Sequence, residues 1–516
     1  MREFSVVEAT IADMQAAMEQ NRITSRAIVQ QYLDRIARYE DRLNAIITLN
    51  PRALEEADLR DRERAQGKVR GPLHGIPIAL KDNIHTTDMP TTGGALAFRG
   101  FVPPYEATLT RNLREAGAII IAKTNMTELA NWVANGMPGN YNAVEGYGMN
   151  PYDPRRDPRP GTDDGRPALS AGGSSSGAGT AASFWAANVG TETSGSILTP
   201  ANQTMLVAIK PTVGRISRYG VIPITADQDT AGPMARTLAD AALLLGVLEG
   251  GRSDADDSAT DACPRVPGGD YRRYLNRRGL AGARVGIPRD YRIDAVQSKL
   301  FADAVDVLKR EGAIVVDPAD LQATPPPVCS GTEGARGNDS GCSAVFKYGM
   351  KRDFNKWLAS LGPSAPVKTL TALREWNLAN RSDGSIKYGQ SQLDISDEMD
   401  LDADRPRYLL DRERDVRLSG AEGIDAVMKR ERLDALFFAP PGGTAIAAKA
   451  GYPTVIVPFG FIPNEPNPPF PDGFAARPSP VGMRFTGTAC TEPRLIELAY
   501  AFEQATRRRV PPVEFP

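Results

Sequence analysis

The chain has 516 residues, of which 41% are hydrophobic and 24% charged, the make-up of an ordinary globular protein with ample length for a core. Its 61 Lys and Arg against 63 Asp and Glu leave a net charge of −2, so no electrostatic argument favours a nucleic acid or an anionic membrane as partner. Only two histidines are present, His74 and His85. A Ser-His-Asp triad would need one of them and a multi-histidine zinc site nearly the whole supply, which weakens both classes before any motif is read.

The first residues, Met1-Arg2-Glu3-Phe4-Ser5, lack the apolar core of a secretory signal, and the expectation is a cytoplasmic protein; a signal trimmed beforehand would leave the same start. No run of about 20 apolar residues is present, so no membrane span is expected. Ile28, Tyr32, Leu33, Ile36 and Leu43 recur at helical spacing after Thr24-Ser25, a fitting N-cap. A second, polar helix runs from about Ala53 to Ala65. From residue 70 the texture turns α/β. Ile76 to Leu80 reads as a strand, Thr108 to Ala116 as an amphipathic helix and Ala118 to Ala122 as a second strand. Short β-branched runs separated by helices suggest strands buried on both faces of a sheet. Ala178 to Ala187 reads as a small-residue helix, Val207 to Lys210 and Ile222 to Ile224 as strands, and Leu238 to Leu248 as an apolar helix.

Residues 251–430 are more polar and less regular. Pro325-Pro326-Pro327, the glycine-rich stretch Gly331 to Gly341 and the charged run Asp400 to Arg417 read as loops and surface helices. Strands return at Leu436 to Ala439 and Thr454 to Pro458, and a helix from Glu492 to Arg507 closes the chain. The expectation is a single domain: 1–70 as N-terminal helices, 71–250 and 431–516 as the catalytic core, 251–430 as a variable cap or insertion. The four cysteines, Cys263, Cys329, Cys342 and Cys490, have no CxxC spacing and read as incidental thiols. Cys329 and Cys342 flank a glycine-rich loop and could pair, which would point outside the cytoplasm.

Three segments carry chemistry: Lys81 behind its apolar strand, Gly172-Gly173-Ser174-Ser175-Ser176-Gly177, and Gly190-Thr191-Glu192-Thr193-Ser194-Gly195-Ser196. The first glycine loop alone fits a linker as well as a site. A phosphate loop would need a lysine after its last glycine, where Ala178 stands, and a nucleophile elbow centred on Ser175 would need a later histidine, which is missing. The second loop offers successive small residues whose amides can converge on an oxyanion as the Ser196 hydroxyl attacks a carbonyl. A plain turn would explain Gly195 but not the whole set. A lysine is usually a solvated charge, but behind Ile76 to Leu80 it would be desolvated, and its neutral amine could accept a proton.

With these motifs the chain resembles the amidase signature family, and within it the peptide amidase branch. Gly71-Pro72-Leu73-His74-Gly75-Ile76-Pro77 with Lys81-Asp82-Asn83 resembles the family's lysine motif, and Lys123-Thr124-Asn125-Met126-Thr127-Glu128 the segment after it. Lys210-Pro211-Thr212-Val213-Gly214, then Ser217 to Pro223, Asp229 and Gly232-Pro233 fit the stretch after the nucleophile, and Pro480-Val481-Gly482 with Gly487 and Glu492 the C-terminal signature. The match covers roughly residues 20–250 and 430–510. It implies a large mixed, mostly parallel twisted sheet covered by helices on both faces, with an irregular helical middle insertion.

The resemblance also implies a Ser-Ser-Lys triad: Ser196 as nucleophile, Ser174 as bridge after a cis peptide bond, Lys81 as base. Thr193, Ser194, Gly195 and the Ser196 amide would form the oxyanion hole, with no cofactor and no metal. Three features depart from the common pattern. The interval of 22 residues from Ser174 to Ser196 is two shorter than in most relatives, Glu192 replaces an aspartate, and Leu198 replaces an arginine; the last two resemble peptide amidases. Asn125 to Tyr152 reads equally as substrate-pocket lining and as surface loop.

The expected activity is hydrolysis of a carboxamide C–N bond through a serine acyl-enzyme, on C-terminal peptide amides first, with aryl or fatty amides and carbamates behind. The rival readings are a glutaminase-like amidotransferase subunit working with a partner, and a scaffold without activity. The expected partner is a small-molecule or peptide amide, with the chain a monomer or homodimer. If Lys81 must be neutral, activity should climb toward alkaline pH.

Overall fold

The computed structural model describes residues 4–173, 177–289, 295–331 and 339–516 of the chain. Helix Ser25–Leu43 opens at Thr24, whose hydroxyl accepts the Ala27 N–H at 3.1 Å, and closes at Asn44 in the left-handed conformation. Its buried face carries Ile28, Val29, Tyr32, Ile36 and Leu43, the residues set on one side by a 3.6-residue period. From the same face Arg35 donates to the carbonyls of Ala182, Ser183, Phe515 and Pro516, fastening the N-terminal helix to the chain's end.

The strands in chain order are β1 (Ile46–Leu49), β2 (Pro77–Lys81), β3 (Ile119–Thr124), β4 (Tyr141–Asn142), β5 (Gly146–Tyr147), β6 (Ala187–Glu192), β7 (Val207–Lys210), β8 (Thr230–Ala235), β9 (Arg284–Gly286), β10 (Ile314–Val316), β11 (Ala435–Phe438), β12 (Thr454–Ile462) and β13 (Ser479–Thr486). β4 and β5 form a separate hairpin; the other 11 make one mixed sheet in the order β1-β3-β2-β6-β8-β7-β12-β13-β11-β9-β10. Parallel pairing holds in two flanks, β3–β2–β6 and β11–β9–β10. There the helices Thr108–Glu115 and Ala295–Arg310 supply the crossovers that parallel neighbours require. Between the flanks the strands run antiparallel. Every residue of β2, β3, β6, β7, β8 and β11 is buried, as befits strands covered on both faces.

One seam joins distant parts of the chain: β7 lies beside β12, with Ala208 opposite Ile456. The middle residues extend the sheet through β9 and β10 and then add the helices Val345–Ser360, Leu370–Ala379, Ser391–Asp397 and Arg405–Val416.

Three local expectations change. The helix over Ala178 to Ala187 is only Ala178–Ala181. Ser183 adopts a positive φ of 55°, and Ala186 donates its N–H to Pro77 O at 3.1 Å, which starts β6. Ile222 to Ile224 is no strand: Pro223 has no N–H for a ladder, and the isolated bridge nearby, Val221 to Ile84, falls on the residue before the stretch. The cysteines are not incidental thiols. Cys263 is bonded to Cys490 across 227 residues and Cys329 to Cys342 across 13; the long pairing depends on the fold and leaves no local trace in the chain.

Candidate active site

Strand register assembles the site. β2 and β6 run parallel with Leu80 opposite Val189, so Lys81, the last residue of β2, ends beside Thr191 near the end of β6. Its Nζ donates to the Thr191 carbonyl at 3.1 Å and to Thr191 Oγ1 at 2.7 Å. Asn83 Nδ2 reaches the same hydroxyl at 3.0 Å. Lys81 is wholly buried, and that burial drags its amine down to about 7, against an upward pull from the carboxylates of Asp229 and then Glu192. A buried amine in that range can exchange a proton at neutral pH, which a solvated lysine does not.

β6 delivers the nucleophile loop. Glu192 is its last residue, and Glu192 Oε2 accepts the N–H groups of Ile197 at 2.7 Å and Leu198 at 3.0 Å. This carboxylate fixes the entry into helix Leu198–Gln203 immediately after Ser196, as a negative group at a helix start should. Ser196 is half-buried, Ser194 exposed, Thr193 and Gly195 buried. The backbone N–H groups of Thr193, Ser194, Gly195 and Ser196 donate to no acceptor among the described residues. Gly195 takes a φ of +87°, where an L-residue is strained, and a Cβ there would lie 3.4 Å from Thr444 Cγ2. The loop thus faces the start of helix Thr444–Ala450.

β8 pairs with β6 so that Thr230 lies opposite Glu192, which brings the preceding Asp229 to the loop. Thr193 Oγ1 donates to Asp229 Oδ1 at 2.5 Å, and Ile224 N donates to Oδ2 at 2.9 Å. Burial lifts the Asp229 carboxyl to about 7. A void of about 10 Å³ between Asn83, Thr191, Thr193 and Asp229 is about the size of one water.

Of the six predicted site residues, Lys81, Thr193, Ser194, Gly195 and Ser196 fall on two adjacent strand ends. Ser174, with Ser175 and Ser176, lies outside the described residues. Sequence reasoning missed Thr191 as the partner of Lys81, although it stands in the nucleophile motif, and Asp229, whose approach depends on β6–β8 register alone. Glu192 was noted only as a departure. The histidines serve packing: His74 bonds to Arg60 O at 2.9 Å, and His85 Nε2 accepts Trp357 Nε1–H at 2.9 Å. Lys123 is fully buried and pairs with Asp82 at 3.3 Å. Among the described residues, one group of potential metal ligands gathers, Cys329, Asp339 and Cys342, and its sulfurs are joined to each other. No described helix is long and apolar enough to cross a membrane.

The chain as a whole is similar to known proteins. The sequence profile of the amidase family matches residues 27–496. The crystal structure of peptide amidase from Stenotrophomonas maltophilia superposes with a TM-score of 0.85 at 39% identity, covering 98% of both chains. A probable amidase of Arabidopsis thaliana is 34% identical over 99% of this chain and 92% of its own length. A glutamyl-tRNA(Gln) amidotransferase subunit from Alkaliphilus metalliredigens is 30% identical over 97% of this chain and 96% of its own.

Proposed function

The chain belongs to the amidase family and hydrolyses carboxamide C–N bonds, and from that premise we propose that it acts through an acyl-enzyme on Ser196. Lys81, as a neutral amine, draws the proton of Ser196 through Ser174. The Ser196 oxygen attacks the amide carbon, and the amides of Thr193 to Ser196 hold the oxyanion. The proton passes to the leaving nitrogen as the C–N bond breaks; water then cleaves the ester, returning the proton to Ser196 and releasing the carboxylic acid. The single observation that carries this reading is the buried Lys81 amine, held near 7 beside the strand that ends in the nucleophile loop.

For substrate we propose C-terminal peptide amides, supported by the 39% identical peptide amidase over nearly the full length. A glutaminase-like role with a partner subunit draws on the amidotransferase relative; Leu198, where many relatives have arginine, counts against it. The two disulfides support an oxidising compartment in place of the cytoplasm expected from the first residues. The test is ammonia release across peptide, aryl and fatty amides, beside Ser196→Ala. Release from peptide amides by the unpartnered chain, abolished in the variant, is expected. An active Ser196→Ala would overturn the nucleophile assignment, and activity that appears only with a copurifying subunit would favour the amidotransferase reading.

A further inference from the structure

The turn Ile224–Asp229 stands between the nucleophile loop and the middle helices, and both sides hold it by hydrogen bonds. Toward the loop, Gln228 Nε2 donates to Thr193 O at 3.2 Å, and Asp229 accepts the Thr193 hydroxyl at 2.5 Å. Toward the helices, Asp353 Oδ2 accepts Ala226 N–H at 2.7 Å and Arg412 Nη2 donates to Asp227 O at 3.0 Å. Gly349 lies so close that a Cβ there would sit 2.2 Å from Thr225 Oγ1.

Arg352, on helix Val345–Ser360, is the centre of the second set. Its Nη2 pairs with Asp227 Oδ2 at 2.9 Å, its Nε with Asp353 Oδ1 at 2.8 Å, and its Nη1 donates to Tyr408 OH at 2.6 Å. Tyr408 OH donates in turn to Asp227 Oδ2 at 2.9 Å. A rigid fork of donors suits one side chain to three acceptors on separate elements, which a lysine could not serve together. The remaining side of the turn is not close-packed: a cavity of about 540 Å³ opens on Ala226, Asp229 and Asp353. Ile224, Thr225, Gln228 and Asp229 are buried, so these polar grips act on the outer part of the turn, Ala226 and Asp227.

We propose that Arg352 is a positioning residue for amide hydrolysis: through Asp227 and Asp353 it fixes the turn 224–229, and thereby Thr193 at the head of the oxyanion cradle. The inference rests on the reading of Thr193 to Ser196 as that cradle. It gives the middle segment a part in the reaction: residues far along the chain set the placement of amides that must meet the developing charge.

The test compares Arg352→Gln with the unaltered enzyme on a peptide amide, together with binding of a peptide aldehyde, which forms a tetrahedral adduct with the nucleophile. Misplacing the cradle without deleting a donor should lower kcat by about tenfold, weaken the aldehyde by the same factor and hold KM within about twofold. Arg374→Gln is the control. It breaks the pairs to Asp394 and Asp397 in the same segment without touching the turn, and it should lower thermal stability and spare kcat. Should Arg352→Gln fail to fold, Tyr408→Phe, which deletes one hydroxyl, should lower kcat and aldehyde affinity together by about threefold. Unaltered kcat and aldehyde affinity in the folded variant, or equal kcat loss in Arg374→Gln, overturns the inference. A fully active Ser196→Ala would instead mark failure of the site reading beneath it.

Discussion

At the scale of residues, Lys81 carries two opposed influences. Burial favours the neutral amine; the carboxylates of Asp229 and Glu192 favour the cation, and burial wins, leaving the group near 7. Because the base must be unprotonated, kcat/KM should rise with pH through about 7 and level off above it. Replacing Glu192 by Gln keeps an oxygen for the Ile197 and Leu198 N–H groups but removes a charge that pulls the lysine upward, so the limb should move toward lower pH. A pH–rate profile of both enzymes checks this; a limb fixed in place, or moved to higher pH, refutes the electrostatic part. Gly195 permits a second prediction. Alanine there meets a φ of +87° and would press Thr199 Oγ1 at 3.2 Å. Displaced amides should lower kcat by about 10²-fold, measurable by steady-state kinetics with circular dichroism as the folding control.

At the scale of elements, what could be read from the chain was what local chemistry determines. The apolar run before Lys81 announces β2, and the burial it implies is the source of the lysine's shift. β6 could not be read: Ala187 to Glu192 has few β-branched residues, and its strand state comes from β2 on one side and β8 on the other. For the same reason the nucleophile loop was legible as a motif, while Thr191 as acceptor and Asp229 as brace were not; both follow from which strand lies next to which. The buried pair between Asp82, just past β2, and Lys123 on β3 is another product of register. Burial raises the Asp82 carboxyl and lowers the Lys123 amine, and each is tolerated because the other is there. Lys123→Met should therefore strand a carboxylate whose other oxygen is bound by Thr92 N, destabilising the fold by about 3–5 kcal/mol. A thermal midpoint unchanged from that of the unaltered enzyme would show that the pair contributes little.

At the scale of the whole molecule, the sheet is closed by stretches that are far apart in the chain, and the β7–β12 seam has no covalent support of its own. The Cys263–Cys490 bond supplies a link close to it. Cys490 N donates to Thr212 Oγ1 at 2.9 Å, and Thr212 N to Glu492 Oε1 at 2.6 Å, so the segment after β13 is tied at once to the segment after β7 and to the start of the middle region. A bond closing 227 residues restricts the unfolded chain strongly, and losing it should remove about 2–5 kcal/mol. The paired substitution Cys263→Ser with Cys490→Ser should shorten the half-life at elevated temperature and leave kcat at low temperature as it was, since neither residue touches the nucleophile loop or Lys81. Alkylation of the denatured protein followed by mass measurement gives the direct check: all four cysteines should resist modification until a reductant is added. Free thiols before reduction would remove both the stability argument and the case for an oxidising compartment.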